Sequence, residues 1–214
     1  MKTEDLIDSL AADLTPVSPS AAAGRIATAA LIGGGVALLL AMLWLGLRPD
    51  LPQAVGGMMF WMKAGYALVL AGAGFWCAER LARPAGSARG GLILSLAALT
   101  IVAAIGMTRL VAVPADERMT EWLGGSWMRC PGNILALSIP TLALALLVMR
   151  RLAPTRLALA GAGAGLFAGG VAAAAYGLHC PETAPIFLAT WYSLGVALST
   201  AAGAVAGPFA LRWR

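Results

Sequence analysis

Six long apolar runs dominate the chain, near 26–47, 58–79, 91–110, 133–150, 156–178 and 186–210, and polar residues gather in the stretches between them. Each run suits the roughly 17–25 residues that cross a bilayer core. None alternates with a strand's period of two. Backbone groups cannot stay unsatisfied in lipid, so the pattern predicts helices. The connections are short (RPDLPQAVGG, RLARPAGSARG, RLAPT and HCPETAP) except for VAVPADERMTEWLGGSWMRCPG. The predicted fold class is all-α: a bundle of six transmembrane helices over residues 25–214, preceded by a short segment, 1–24.

That first segment carries a different pattern. Thr3 is positioned as an N-cap, with Glu4 and Asp5 in the first turn, where carboxylates favour the helix dipole. At about 100° per residue, Leu6, Ile7, Leu10 and Leu14 fall in one arc, Glu4, Asp5 and Asp8 lie opposite, and Asp13 borders the stripe. This is an acidic amphipathic helix too short to be stable alone in water. Interfacial membrane helices are typically basic, and anionic lipid repels carboxylates. An apolar stripe backed by acid better suits docking on a basic protein surface than an idle tail. Thr15 to Gly24 reads as a linker.

Composition agrees with the runs. The chain is 60% hydrophobic and 12% charged, with a mean hydropathy of +0.82, against about 45–50% and about 25% in soluble domains. A net charge of +5 would suggest nucleic acid in a soluble protein. Here the basic residues flank apolar runs and set topology instead, so no direct nucleic-acid binding is expected. With the N-terminus inside, Lys2, Arg25, Arg80, Arg83, Arg89, Arg150, Arg151, Arg156, Arg212 and Arg214 are cytoplasmic, and Arg48, Lys63, Arg109, Arg118 and Arg129 lie toward the outside. That asymmetry is the sense of the positive-inside rule, and it places both termini in the cytoplasm. No cleavable signal peptide is visible, because an acidic segment precedes the first apolar run.

The chemistry is concentrated in two Cys-Pro pairs, Cys130-Pro131 and Cys180-Pro181, both on the outer side of this topology. Thiols in an oxidising compartment pair, ligate metal or react. Cys130 adjoins Arg129 and a helix N-terminus, features that lower a thiol pKa and predict an exposed, nucleophilic thiolate. A static disulfide and inert thiols are the blander alternatives, although inserted helices have less need of a staple. His179, the only histidine, sits beside Cys180. Together the three offer a reversible site for a soft or borderline metal ion, while a lone histidine at a helix end is more often a capping or interfacial group. No structural-metal spacing appears, and no obligatory cofactor is expected. Cys77 reads as an ordinary buried thiol.

Lys63 lies about one turn inside the second run, and its stem is expected to snorkel outward. No Asp or Glu occurs near the middle of any run, which weakens a transporter reading. Gly161, Gly165 and Gly169 recur every fourth residue, the spacing of close helix packing, and Gly203 and Gly207 repeat it. The string GAGAGLFAGG lacks a preceding strand, so it is not a dinucleotide-binding loop. A membrane thiol–disulfide oxidoreductase is the main enzymatic alternative, but it would want a Cys-x-x-Cys pair and a relay.

The opening MKTEDLIDSLAADL, W-x-x-x-x-W-x-x-C from Trp122 to Cys130, NILALSIP from Asn133 to Pro140, Y-x-L-H-C-x-E from Tyr176 to Glu182, WY-x-LG from Trp191 and the closing GP-x-x-LRW form one series. The whole chain resembles the NrsF-type negative regulators of sigma factor, which are polytopic anti-sigma factors. The resemblance implies a non-enzymatic inner-membrane protein whose cytoplasmic N-terminus sequesters an extracytoplasmic-function sigma factor. It also implies that Cys130 and Cys180 are periplasmic and perceive oxidant or heavy-metal stress. The lipid bilayer and the sigma factor are then its partners.

Overall fold

In a computed structural model, residues 3–12, 21–152 and 154–212 are described, apart from the side chains of Leu10 and Ala21. The elements are α1 (Thr3–Ala12), α2 (Ala21–Leu40, prolonged by a π turn, Ala41–Leu45), α3 (Leu51–Val55), α4 (Met58–Leu81), α5 (Arg89–Ala112), α6 (Arg118–Leu123), α7 (Cys130–Met149) and α8 (Leu157–Tyr176). A single turn, α9 (Pro185–Phe187), runs through a second π turn, Leu188–Tyr192, into α10 (Ser193–Ala210). No strand occurs among the described residues. Six helical segments are long and apolar enough to cross a membrane: Ala22–Leu45, Met58–Leu81, Arg89–Ala112, Cys130–Met149, Leu157–Tyr176 and Pro185–Ala210.

These six segments match the predicted runs, with shifted ends. The first helix begins at Ala21, inside the stretch read as linker, because alanines continue the helix without a break. The first connection contains α3 and the long connection contains α6, two short helices with too few residues to show a period. Large apolar side chains point away from the bundle, including Leu31, Leu43 and Phe209. An all-round apolar helix of this kind is the pattern of a lipid-facing surface.

The central helix is α8, which packs on α10, α4, α7 and α2. Its glycine rows explain how one helix meets so many neighbours. A Cβ added at Gly165 would lie 2.8 Å from Thr200 Cα, and one at Gly161 would lie 2.8 Å from Gly207 Cα. At Gly169 the facing atom is Val196 Cα, 3.1 Å away. The backbones of α8 and α10 therefore touch along this row, where lipid supplies no hydrophobic drive and dispersion must hold the helices. On another face, a Cβ at Gly170 would come within 2.6 Å of Ala71 Cα of α4. The buried side chains form two clusters. One surrounds Cys130 and Cys180, and the other, containing Ile26, Leu81, Met149 and Leu211, fills the opposite end.

Candidate functional site

Proline and a turn of hydrogen bonds build the thiol end. Pro131 occupies the first turn of α7, where its missing N–H would have no partner in any case, so the helix starts at Cys130. The amide of Cys130 donates back to the Ser126 carbonyl at 2.9 Å. After α8, the amides of His179 and Cys180 both donate to the Tyr176 carbonyl at 3.0 Å, which turns the chain inward instead of letting it run on. The Arg48 amide donates to the Leu178 carbonyl at 3.2 Å and fastens this turn to the α2–α3 connection. The outcome is one buried cluster holding Cys130, Cys180, Ile134, Tyr176, Phe187 and Tyr192. Both cysteines have no solvent exposure, and both are free thiols.

Two cations converge on the same backbone atom. Lys63 Nζ donates to the Cys180 carbonyl at 2.9 Å, and the Arg48 guanidinium donates to it at 3.2 Å. Lys63 is 3% exposed and Arg48 8%. Arg48 also grips Asp50 through two bonds of 2.7 Å. Those bonds hold the Asp50 carboxyl below its ordinary range and raise the guanidinium above its own. Among the described residues, no carboxylate forms a salt bridge with Lys63.

Aromatic rings and one carboxylate close the site from the side. Trp191 donates its indole N–H to the Trp122 carbonyl at 2.9 Å and lies against Trp122 and Trp127, with centroids 5.7 and 5.2 Å away. Glu182 accepts from the Gly125 amide and the Ser126 hydroxyl, each at 2.9 Å, which pins the α6–α7 connection to the Cys180 loop. Gly124 takes a positive φ of 59° beside Glu182, so this turn suits glycine. A partly open cavity of about 490 Å³ adjoins the cluster, lined by Arg48, Arg129, Asn133, Tyr176, His179, Pro181 and Glu182 among others.

The structure changes several expectations about individual residues. Cys130 is the first residue of α7 and is wholly buried, so the exposure expected there is not found: it sits inside a cluster against which Trp122, Trp127 and Trp191 pack. Lys63 does not snorkel outward, because the Cys180 loop lies within reach and offers its ammonium a carbonyl. His179 spends Nδ1 on the Gly46 carbonyl at 2.9 Å, which makes that nitrogen the donor, and its ring lies against Tyr176. Among the described residues, no three His, Cys, Asp or Glu side chains gather as a metal-holding group. Cys77 is buried near the other end.

In α1, Glu4, Asp5, Leu6, Ile7 and Asp8 are exposed, and Leu6 and Ile7 are 42% and 59% accessible. The Leu10 side chain, Asp13 and Leu14 lie outside the described residues. Gly161, Gly165 and Gly169 face α10. Sequence reasoning overlooked Lys63, Arg48, Tyr192 and Glu182 as parts of the site. The available signal was Lys63 itself, a cation inside a span with no acidic residue at helical spacing.

Residues 10–213 match the family model for NrsF, described as "Negative regulator of sigma F". The chain belongs to the NrsF family. It is 47% identical to "Anti-sigma-F factor NrsF" of Caulobacter vibrioides (strain NA1000 / CB15N) over 214 residues, covering all of both chains. It is 42% identical to "Probable anti-sigma-F factor NrsF" of Azospira oryzae (strain ATCC BAA-33 / DSM 13638 / PS), again over the full length of both. No solved structure matches the chain. NrsF proteins are regulators and not enzymes, which removes the oxidoreductase reading. The six long apolar helices of this NrsF chain are those of a multi-pass membrane protein.

Proposed function

We propose that this protein is an inner-membrane anti-sigma factor that sequesters an extracytoplasmic-function sigma factor through its N-terminal segment and releases it when Cys130 and Cys180 react. The observation that carries the reading is membership of the NrsF family along nearly the whole chain, together with full-length relatives named as anti-sigma-F factors. The excess of Arg and Lys on the side of the termini supports a cytoplasmic N-terminus and a periplasmic thiol end. Exposed Leu6 and Ile7 beside Glu4, Asp5 and Asp8 give α1 the character of a helix that docks on a basic groove. Leu10, Asp13 and Leu14 extend the same stripe in sequence.

Convergence of two cysteines fifty residues apart supports their role as a paired input. Either oxidation of the pair or a bridging soft metal ion, with His179 as a nearby donor, would alter the packing of α7 against α8. The row Gly161, Gly165 and Gly169 lies along the helix that joins the two ends. Release needs a difference in sigma affinity between the two thiol states, and about 1.4 kcal/mol gives tenfold.

Two measurements test the reading. Reversal of Asp5, Asp8 and Asp13 to Lys abolishes co-purification with the sigma factor, and undiminished binding would place the sigma site elsewhere. A sigma-dependent reporter loses its oxidant and metal response in the Cys130→Ser/Cys180→Ser variant. A normal response there removes the sensor assignment.

A further inference from the structure

The surroundings of the two thiols differ. Cys180 has its carbonyl held by both Lys63 and Arg48. Tyr192, fully buried in the π turn before α10, has a hydroxyl with no hydrogen-bond partner, and it shares its buried cluster with Cys180. A buried donor left unpaired is costly. A buried cation without a carboxylate is costly for the same reason. One event would satisfy both: negative charge on the Cys180 sulfur.

We infer that Cys180, not Cys130, is the nucleophilic thiol, and that Lys63, Arg48 and Tyr192 form a preorganised site for its thiolate. Lys63 acts as the counter-ion from α4, Arg48 reinforces it from the α2–α3 connection, and Tyr192 supplies the hydrogen bond. The other ionisable groups around the site, among the described residues, are Cys130 of α7, Arg129 just before it, Tyr176 of α8, and Glu182 and His179 on the Cys180 loop itself. Asp50 is occupied by Arg48. The thiol proton passes to solvent, and the adjoining polar cavity, lined by Pro181 and His179 on either side of Cys180, is the entrance for small electrophiles. The electrophile class is a small sulfur(II) centre. The thiolate attacks the sulfenyl sulfur of methyl methanethiosulfonate, the Cys180–S–CH3 disulfide forms, and methanesulfinate leaves with the electron pair. This deepens the anti-sigma reading and rests on it only for its biological meaning, because the chemistry is read on the purified protein.

The experiment follows methyl methanethiosulfonate labelling by mass spectrometry in folded protein held in nanodiscs. One variant keeps only Cys180 (Cys77→Ser/Cys130→Ser) and another keeps only Cys130 (Cys77→Ser/Cys180→Ser). At pH 7, Cys180 reacts at least about tenfold faster than Cys130. Lys63→Met in the Cys180-only protein slows labelling at least about tenfold and moves the pH profile up by about one unit or more, the effect of losing an opposite charge at close range. Lys63→Arg restores the profile, and Tyr192→Phe slows labelling severalfold. Thermal melting and gel filtration of every variant separate these effects from misfolding. Cys130 reacting as fast as Cys180, a Lys63→Met profile that matches the parent, or no Cys180 labelling before unfolding would each overturn the inference. A normal reporter response in Cys180→Ser, alongside the predicted labelling, refutes the sensor reading and leaves the thiolate site standing.

Discussion

Gly165→Ala is the sharpest probe of how the bundle holds together. The added methyl would meet Thr200 Cα at 2.8 Å and Ser199 C at 3.0 Å, both backbone atoms of α10 that no side-chain rotation can clear. The helices must separate along a row where they are held by close dispersion contacts. Overpacking of this kind costs about 1–3 kcal/mol. The control is Gly72→Ala on α4, where an added Cβ meets nothing within 4 Å. There the substitution only improves helix propensity, by up to about 1 kcal/mol. For a chain of this length, a change of 1 kcal/mol moves Tm by about 2–4 °C. The same propensity gain offsets about 1 kcal/mol of the cost at Gly165, so Gly165→Ala is expected to melt up to roughly 8 °C below the parent, and Gly72→Ala at or above it. The assay is thermal unfolding of purified protein in one detergent, followed by tryptophan emission. Equal melting of the two variants would refute the close α8–α10 contact.

Three further outcomes follow from the site. Glu182→Ala removes the acceptor for the Gly125 amide and Ser126 hydroxyl; charge-assisted bonds contribute about 1.5–3 kcal/mol each, discounted here for partial exposure. It should lower Tm and red-shift tryptophan emission as the Trp122–Trp127–Trp191 cluster loosens, and unchanged emission would contradict the tether. Lys63→Met should melt at or above the parent, because replacing a buried charge by an apolar side chain of similar volume is often neutral or stabilising; a large loss would mean the Lys63–Cys180 bond is structural. Asp50 has its pKa depressed by Arg48, so its contribution is present above the ordinary carboxylate range and lost as pH falls through the lowered value. Tm of the parent should fall toward that of Asp50→Asn on acidification and not on raising the pH, and a parallel pair of pH–Tm curves would refute the pairing.

How much of this was readable from the chain differs by level. The six helices were legible because lipid enforces length and apolarity, and both constraints are local. The row of Gly161, Gly165 and Gly169 could be seen as a spacing, whereas its partner on α10 required the fold. Topology placed Cys130 and Cys180 at one end. It did not show that Arg48 fastens the Cys180 turn or that Cys130 sits in a cluster packed by Trp122, Trp127 and Trp191, since both depend on contacts between residues far apart in sequence. Lys63 was misjudged for the same reason: near a helix end, the default expectation is an escape to water. The loop that captures its ammonium lies 117 residues away. The short helices α3 and α6 left no periodic trace at all.

The central claim is that the thiol state at one end of the bundle sets sigma-factor affinity at the other. The direct measurement is the Kd of the full-length protein in nanodiscs for its sigma factor, with thiols reduced and with Cys180 modified by methyl methanethiosulfonate. The account predicts at least about tenfold weaker binding after modification, equivalent to about 1.4 kcal/mol of coupling, and no change in Cys130→Ser/Cys180→Ser. An identical Kd in the two thiol states of the parent protein would contradict it.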